Sequence, residues 1–254
     1  FQRLPQKYKE TIREEVWNLS ENSAGVSVLF SSDTVKLSVK WSLKHDLRMN
    51  HMTDAGIKGI DLYTKRNNNW YYIGTCLPNG KENDQILFED IERKKREYCL
   101  FLPLYDTLID MRIGLDDDSS IENITFQNKP LVFYGTSITQ GGCASRPGLA
   151  HTNIISRELG YECINLGFSG NGHLESSIGA IMSDIDASLY VVECMYNVDK
   201  KMINQKTRSL IKAIRANPNS KNTPIVFMEQ AVIDIGHINA EFISSVMEKN
   251  EELN

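Results

Sequence analysis

Four short apolar runs, "LVFY" (131–134), "ECINLG" (162–167), "SLYVVEC" (188–194) and "PIVFME" (224–229), alternate with stretches of helical periodicity around 149–159, 174–183 and 203–216, and a last one near 238–252. Short, β-branched runs of this kind are buried on both faces, and strands that alternate with helices pair in parallel. The second half of the chain is therefore expected to be a parallel sheet covered by helices. Ligands bind such sheets outside the carboxyl ends of the strands. Ser137 follows the first run, Ser169-Gly170-Asn171-Gly172 the second, and Met195-Tyr196-Asn197 the third.

The first half has a different period. Residues 24 to 114 read as β structure, beginning with "AGVSVLFS" and "TVKLSVKWS", for which Ser32-Asp33 is the expected hairpin turn. Val35, Leu37, Val39 and Trp41 alternate with Lys36, Ser38, Lys40 and Ser42, the pattern of a sheet with one wet face. "KGIDLYT" and "NWYYIGT" follow across Lys65-Arg66-Asn67-Asn68, and then "QILFED", "EYCLFLP" and "LIDMRIG". Seven or so strands at this spacing predict a β-sandwich, of jelly-roll type. A short helix is expected before them, from Ile12, Val16 and Leu19. The acidic segment "DDDSSIEN" (116–123) separates the two patterns, which sets an N-terminal β domain at 1–123 and an α/β domain at 124–254.

The chain has 254 residues, 41% hydrophobic and 24% charged, with a formal net charge of −5. That balance gives no reason to expect nucleic acid or an anionic membrane as partner. The densest basic run, Arg93-Lys94-Lys95-Arg96, is followed by Glu97 and reads as a solvated turn. No apolar run approaches the ~20 residues of a membrane span, and the N-terminus lacks the order of a signal peptide. The chain begins at Phe1, as expected of a processed or trimmed product. Cys76, Cys99, Cys143, Cys163 and Cys194 are widely spaced, odd in number and without a C-x-x-C pair, which argues against a disulfide framework and a zinc site. No metal or organic cofactor is implied.

Acyl transfer needs a nucleophile together with donors aimed at the oxygen that becomes negative, and three strand ends meeting at one edge can supply both. "GTSITQG", "NLGFSGNG" and "ECMYN" together resemble the SGNH (GDSL-type) hydrolases, esterases and deacetylases on a flavodoxin-like α/β domain. "GTSITQGGCASRPG", "GIDLY" and "LFLPLYD" are similar to the bacterial subgroup with an N-terminal β-sandwich, so the resemblance covers almost the whole chain. It implies Ser137 as nucleophile, with an oxyanion hole made by the N–H of Ser137, the N–H of Gly170 and the side-chain amide of Asn197. Thr136 stands where the broad family has Asp, and Met195 and Val198 flank Asn197 where Gly and Asp are usual; both departures fit the subgroup. Arg146 in "SRPG" is expected to contact substrate or to brace its loop. Cys143 and Cys194 are expected to be buried packing residues.

The resemblance also implies a base from a late Asp-x-x-His motif, normally after a fifth strand. Only four parallel strands can be counted here, and "KNEELN" reads like the interior of a charged helix, so the pair is expected beyond Asn254. A rival lies in "VIDIGHINAEF": Asp234-Ile235-Gly236-His237 follows the fourth strand. His173 and His151 lie near the edge, whereas His45 and His51 belong to the β domain. The resulting expectation is a serine esterase acting on carbohydrate or small-molecule esters, with Trp70, Tyr71 or Tyr72 available to hold sugar, and with export suggested by the subgroup. The alternative is a non-catalytic carbohydrate-binding or scaffold protein that keeps the fold without a base. Nucleotide binding lacks support, because neither glycine-rich loop has a G-x-x-x-x-G-K-[ST] or G-x-G-x-x-G pattern.

Overall fold

A computed structural model describes residues 1–253. A 3-10 turn, Gln6–Thr11, leads into helix α1 (Glu14–Ser20). Eight antiparallel strands follow: β1 (Ser27–Ser32), β2 (Leu37–Leu43), β3 (Ile60–Arg66), β4 (Asn69–Cys76), β5 (Glu82–Phe88), β6 (Arg96–Phe101), β7 (Leu108–Leu115) and β8 (Ile121–Asn123). The short helix α2 (Asp54–Lys58) interrupts them, started by Thr53, whose hydroxyl accepts from the Gly56 N–H. The strands form a five-stranded sheet, β4-β3-β6-β1-β8, and a three-stranded sheet, β5-β2-β7. Phe30, Leu62 and Leu100 of the larger sheet share one buried cluster with Val39, Trp41 and Leu108 of the smaller. The alternation read in β2 is borne out: Leu37, Val39, Trp41 and Leu43 are buried, and Lys40 is exposed.

The hairpin expected at Ser32-Asp33 does not form. β1 and β2 lie in different sheets, and the link between them crosses from one to the other. Thr34 Oγ1 donates to Asp116 Oδ1 at 2.6 Å, and the Val35 N–H reaches the same oxygen at 2.8 Å, which ties the crossing to the end of β7. A two-residue hairpin would have put the apolar faces of both strands side by side in one sheet instead of facing across the cluster. The β3–β4 hairpin does form, and Asn67 and Asn68 take the positive φ values, 51° and 63°, that a tight two-residue loop requires. The acidic segment 116–123 ends in β8, which pairs with β1.

The second half follows the alternation read from the sequence. It runs β9 (Leu131–Gly135), α3 (Ser137–Gln140), α4 (His151–Leu159), β10 (Cys163–Gly167), α5 (Ser176–Ser183), β11 (Leu189–Glu193), α6 (Lys200–Ile214), β12 (Ile225–Phe227) and α7 (Ala240–Leu253). The sheet order is β10-β9-β11-β12, with each neighbouring pair parallel. Val132 and Tyr134 of β9 pack with Ile178 of α5 and Leu210 of α6, whereas Leu131 and Phe133 face the opposite side with Ile155 of α4. Both faces of β9 are thus covered, as its unbroken apolar run requires. Leu4, Val16 and Trp17 join the first of these clusters. The N-terminal segment therefore packs on the parallel sheet, although it precedes the antiparallel strands in the chain. Among the described residues, no helix is long and apolar enough to cross a membrane.

Candidate active site

Gly135 sits at the centre of the sheet edge, opposite Gly167 of β10 in register and opposite Glu193 of β11. The chain then turns sharply. Thr136 caps α3 by accepting from the Ile138 N–H at 3.2 Å, and Ser137 is the first helical residue, half-buried at the carboxyl end of β9. Ser137 Oγ makes no hydrogen bond among the described residues.

The Ser169–Gly172 turn flanks Ser137 on one side. The Phe168 N–H donates to Gly135 O at 2.9 Å, and the Ser169 N–H donates to Gln140 Oε1 at 2.9 Å. A Cβ on Gly172 would lie 2.5 Å from Gly135 O, so only glycine permits this approach. Gly170 has φ +68°, and a Cβ there would meet nothing within 4 Å. The positive φ is by itself a conformational reason for glycine there. On the other side, the Cys194–Asn197 turn closes through the Asn197 N–H to Cys194 O at 2.9 Å. Asn197 Oδ1 is buried without a partner, and no protein acceptor takes its Nδ2 among the described residues. Three strand ends therefore bring Ser137, Gly170 and Asn197 to one edge, with the Asn197 amide uncommitted among the described residues.

The sequence reading missed Glu193, which lies beneath this edge at 4% exposure. Its Oε2 accepts from the Thr136 N–H at 3.2 Å, Thr136 Oγ1 at 2.8 Å and Thr139 Oγ1 at 3.0 Å, whereas Oε1 is buried and unpartnered. Burial pushes its carboxyl above the ordinary value, against the pull of those donors. A carboxylate closing an apolar strand, as in "LYVVE", was the available signal. Threonine at 136 is thereby explained: an aspartate would set a second carboxylate against Glu193.

The first half braces the loop after Ser137 through both of its quoted motifs. Arg146 Nη1 donates to Asp61 Oδ2 at 2.7 Å and to Tyr63 Oη at 2.6 Å, and the Gly148 N–H donates to the same Asp61 oxygen at 2.8 Å. The Arg146 guanidinium also lies 3.9 Å from the Tyr72 ring centroid. Tyr105 Oη donates to Ser137 O at 3.3 Å, and Gln140 Nε2 donates to Leu104 O at 3.1 Å. Of the two roles open to Arg146, bracing is the one seen here. Cys143 is exposed with φ +63°, contrary to the expectation of burial, because the turn after Gly142 points it outward; Cys194 is buried as expected.

Asp234–His237 forms a 3-10 turn after β12, with both side chains exposed. β12 stands two strands from β9, roughly 10 Å at ordinary strand spacing. His151 opens α4, its ring 6.0 Å from that of Phe133, and burial lowers its pKa. No histidine hydrogen-bonds to Ser137 Oγ among the described residues. One surface hollow away from this edge lies between Lys9, Trp17 and Glu21.

Residues 128–254 match the family model described as GDSL-like lipase/acylhydrolase, and residues 1–121 match that of the N-terminus of SGNH-hydrolase-type esterases, named for its GxDLY motif. The chain belongs to the GDSL-like lipase/acylhydrolase family. A Bacteroides ovatus protein described as a GDSL-like lipase is 32% identical, with a TM-score of 0.93 over 100% of this chain and 75% of that one. A salicylyl-acyltransferase from a tetracycline biosynthetic pathway is 16% identical, with a TM-score of 0.73 over 99% of this chain and 73% of its own. A family two carbohydrate esterase from Clostridium thermocellum, in complex with cellohexaose, is 12% identical, with a TM-score of 0.58 over 89% of this chain and 78% of its own. The last two likenesses are of fold alone. No curated protein matches the chain.

Proposed function

We propose that the chain is a serine esterase that removes acetyl or other acyl groups from carbohydrate through an acyl-enzyme on Ser137. The observation that carries this reading is the convergence of Ser137, the Gly170 turn and the uncommitted Asn197 amide at one sheet edge. Ser137 Oγ attacks the ester carbonyl carbon and passes its proton to a general base. The carbonyl oxygen becomes negative and takes hydrogen bonds from the N–H groups of Ser137 and Gly170 and from Asn197 Nδ2. The tetrahedral species collapses, and the sugar oxygen leaves with the proton returned by the base. Water then repeats the sequence on the acyl-enzyme.

Family membership supports an acylhydrolase, and the shared fold of a carbohydrate esterase supports a sugar substrate. Tyr71 and Tyr72 on edge strand β4 are 50% and 47% exposed, and Tyr72 stacks with Arg146 of the loop that follows Ser137. In this reading β1–β8 form a jelly-roll-like sandwich within residues 1–123 that shapes the entrance to a catalytic unit at 124–254.

The test is hydrolysis of an aryl acetate and of an acetylated oligosaccharide by the full-length gene product beside Ser137→Ala and His237→Ala. Activity lost only in Ser137→Ala supports the nucleophile and removes His237 as base; activity lost in both assigns the base to Asp234 and His237. No hydrolysis by the full-length protein, with no fluorophosphonate adduct on Ser137, would favour the binding-protein alternative.

A further inference from the structure

Arg13 belongs to the segment before the antiparallel strands, yet its guanidinium reaches the turn after β10. Nη1 donates to Asn171 Oδ1 at 2.9 Å, and Nη2 donates to Asn171 O and to His173 Nδ1, each at 3.2 Å. Nε donates to Glu175 Oε1 at 2.5 Å, and Nη2 also lies 3.3 Å from Glu175 Oε2. One side chain thus holds three successive alternate residues of the loop.

Asn171 passes that hold back to Gly170. Its Nδ2 donates to Ser169 O at 3.0 Å and its N–H to Phe168 O at 2.8 Å, closing the turn whose tip is Gly170. Because Arg13 occupies Asn171 Oδ1, the amide has one orientation, with Nδ2 towards Ser169. Arginine is a permanent donor, so His173 Nδ1 must accept, which places the ring proton of the neutral imidazole on Nε2. Glu175 is fixed in turn by α1 through Arg13 and by the sheet, where its N–H meets Tyr134 Oη at 3.2 Å.

We propose that Arg13 is a positioning residue for the Ser169–Gly172 turn, and thereby for the Gly170 N–H at the oxyanion. The second half of that statement rests on the proposed function; the first does not. Arg13 acts through Asn171 and His173 and touches no reacting atom. Lysine cannot replace it, because a single ammonium lacks the planar fork that meets Asn171, His173 and Glu175 at once. The groups facing the His173 ring are consistent with this arrangement: burial and the Arg13 and Lys206 charges disfavour its protonation, against Glu175 and the Gly170 backbone.

The experiment compares the full-length protein with Arg13→Gln, Arg13→Lys, Asn171→Ala and the Arg13→Gln/Asn171→Ala double variant. NMR titration of His173 and the Gly170 amide resonance give a readout that needs no catalysis. In Arg13→Gln, His173 is expected to titrate higher than in the wild type, and the Gly170 amide to move. In hydrolysis, Arg13→Gln and Asn171→Ala should each lower kcat on the order of ten- to hundredfold with KM within about twofold, as a misplaced group does. The double variant should lose no more than either single one. A folded Arg13→Gln protein with the wild-type Gly170 amide and His173 titration overturns the proposal. So does a double variant whose losses multiply. If Arg13→Gln does not fold, Arg13→Lys carries the test, with the same Gly170 displacement expected. An inactive wild type sinks the esterase reading instead, and the NMR readout still decides whether Arg13 holds the turn.

Discussion

Arg146 and Asp61, 85 residues apart in the chain, meet at 2.7 Å with the Asp61 side chain wholly buried and that of Arg146 22% exposed. The aspartate of the first-half motif "GIDLY" therefore acts as an anchor for the loop that follows Ser137. It accepts from Arg146, the Gly148 N–H and Thr75 Oγ1 at once.

Asp61→Ala would leave the Gly148 N–H and the Arg146 guanidinium without their shared acceptor. The expected loss is about 3 kcal/mol, the lower end for a broken buried pair because Arg146 is partly solvated. Tyr63→Phe removes one neutral acceptor from Arg146 and should cost about 1 kcal/mol. Denaturant unfolding measures both; an Asp61→Ala midpoint equal to the wild type would show that the anchor contributes nothing.

Glu193 has a folded pKa above its ordinary value, so its neutral form is the one the fold favours. The stability it contributes is present below about 4.5 and is lost as pH rises through the raised folded value. Glu193→Gln cannot ionise and escapes that loss. The variant should gain on the wild type as pH rises above about 4.5, by up to about 1.4 kcal/mol per pH unit until the raised folded value is passed. Thermal unfolding across that range checks it, and a constant difference would mean that Glu193 does not titrate there.

Asn197→Ala removes a donor whose Nδ2 has no protein acceptor among the described residues. On the proposed function, kcat should fall on the order of 10²–10³ with the folded state intact. Gly170→Ala forces a Cβ into φ +68° and should cost about 1–2 kcal/mol of stability. Kinetics of the first beside unfolding of the second distinguish a lost hydrogen bond from a strained turn.

Cys143 is the exposed thiol of five, the others being buried. Native protein should react with a thiol reagent at Cys143 well before Cys76, Cys99, Cys163 or Cys194, because burial pushes all four up, the first three to about 12. Mass mapping of the adduct reads this directly. Equal labelling at a buried site would show that the native fold opens on the timescale of the reaction.

The elements of the second half were legible because their signal is local. An unbroken apolar run such as "LVFY" requires cover on both faces, and helical stretches between such runs supply it, so a parallel sheet with Ser137, Gly170 and Asn197 at its edge follows from the order of residues alone. The motifs placed the chain in its family for the same reason. The Ser32-Asp33 turn misled because a turn signal fixes the bend and not the sheet that receives the next strand. That choice was made by Asp116, 82 residues beyond Thr34.

What the sequence by itself determined is the family, the strand–helix alternation and the edge at which Ser137 stands. What only the tertiary structure decided is which distant groups hold that edge: Asp61 on Arg146, Glu193 under Thr136, and Arg13 on Asn171, a pair separated by 158 residues. Periodicity reports which face of an element is apolar. It carries nothing about the partner of a buried charge, because that partner is set by where the folded chain passes and by the need of each desolvated polar group to find a hydrogen bond there.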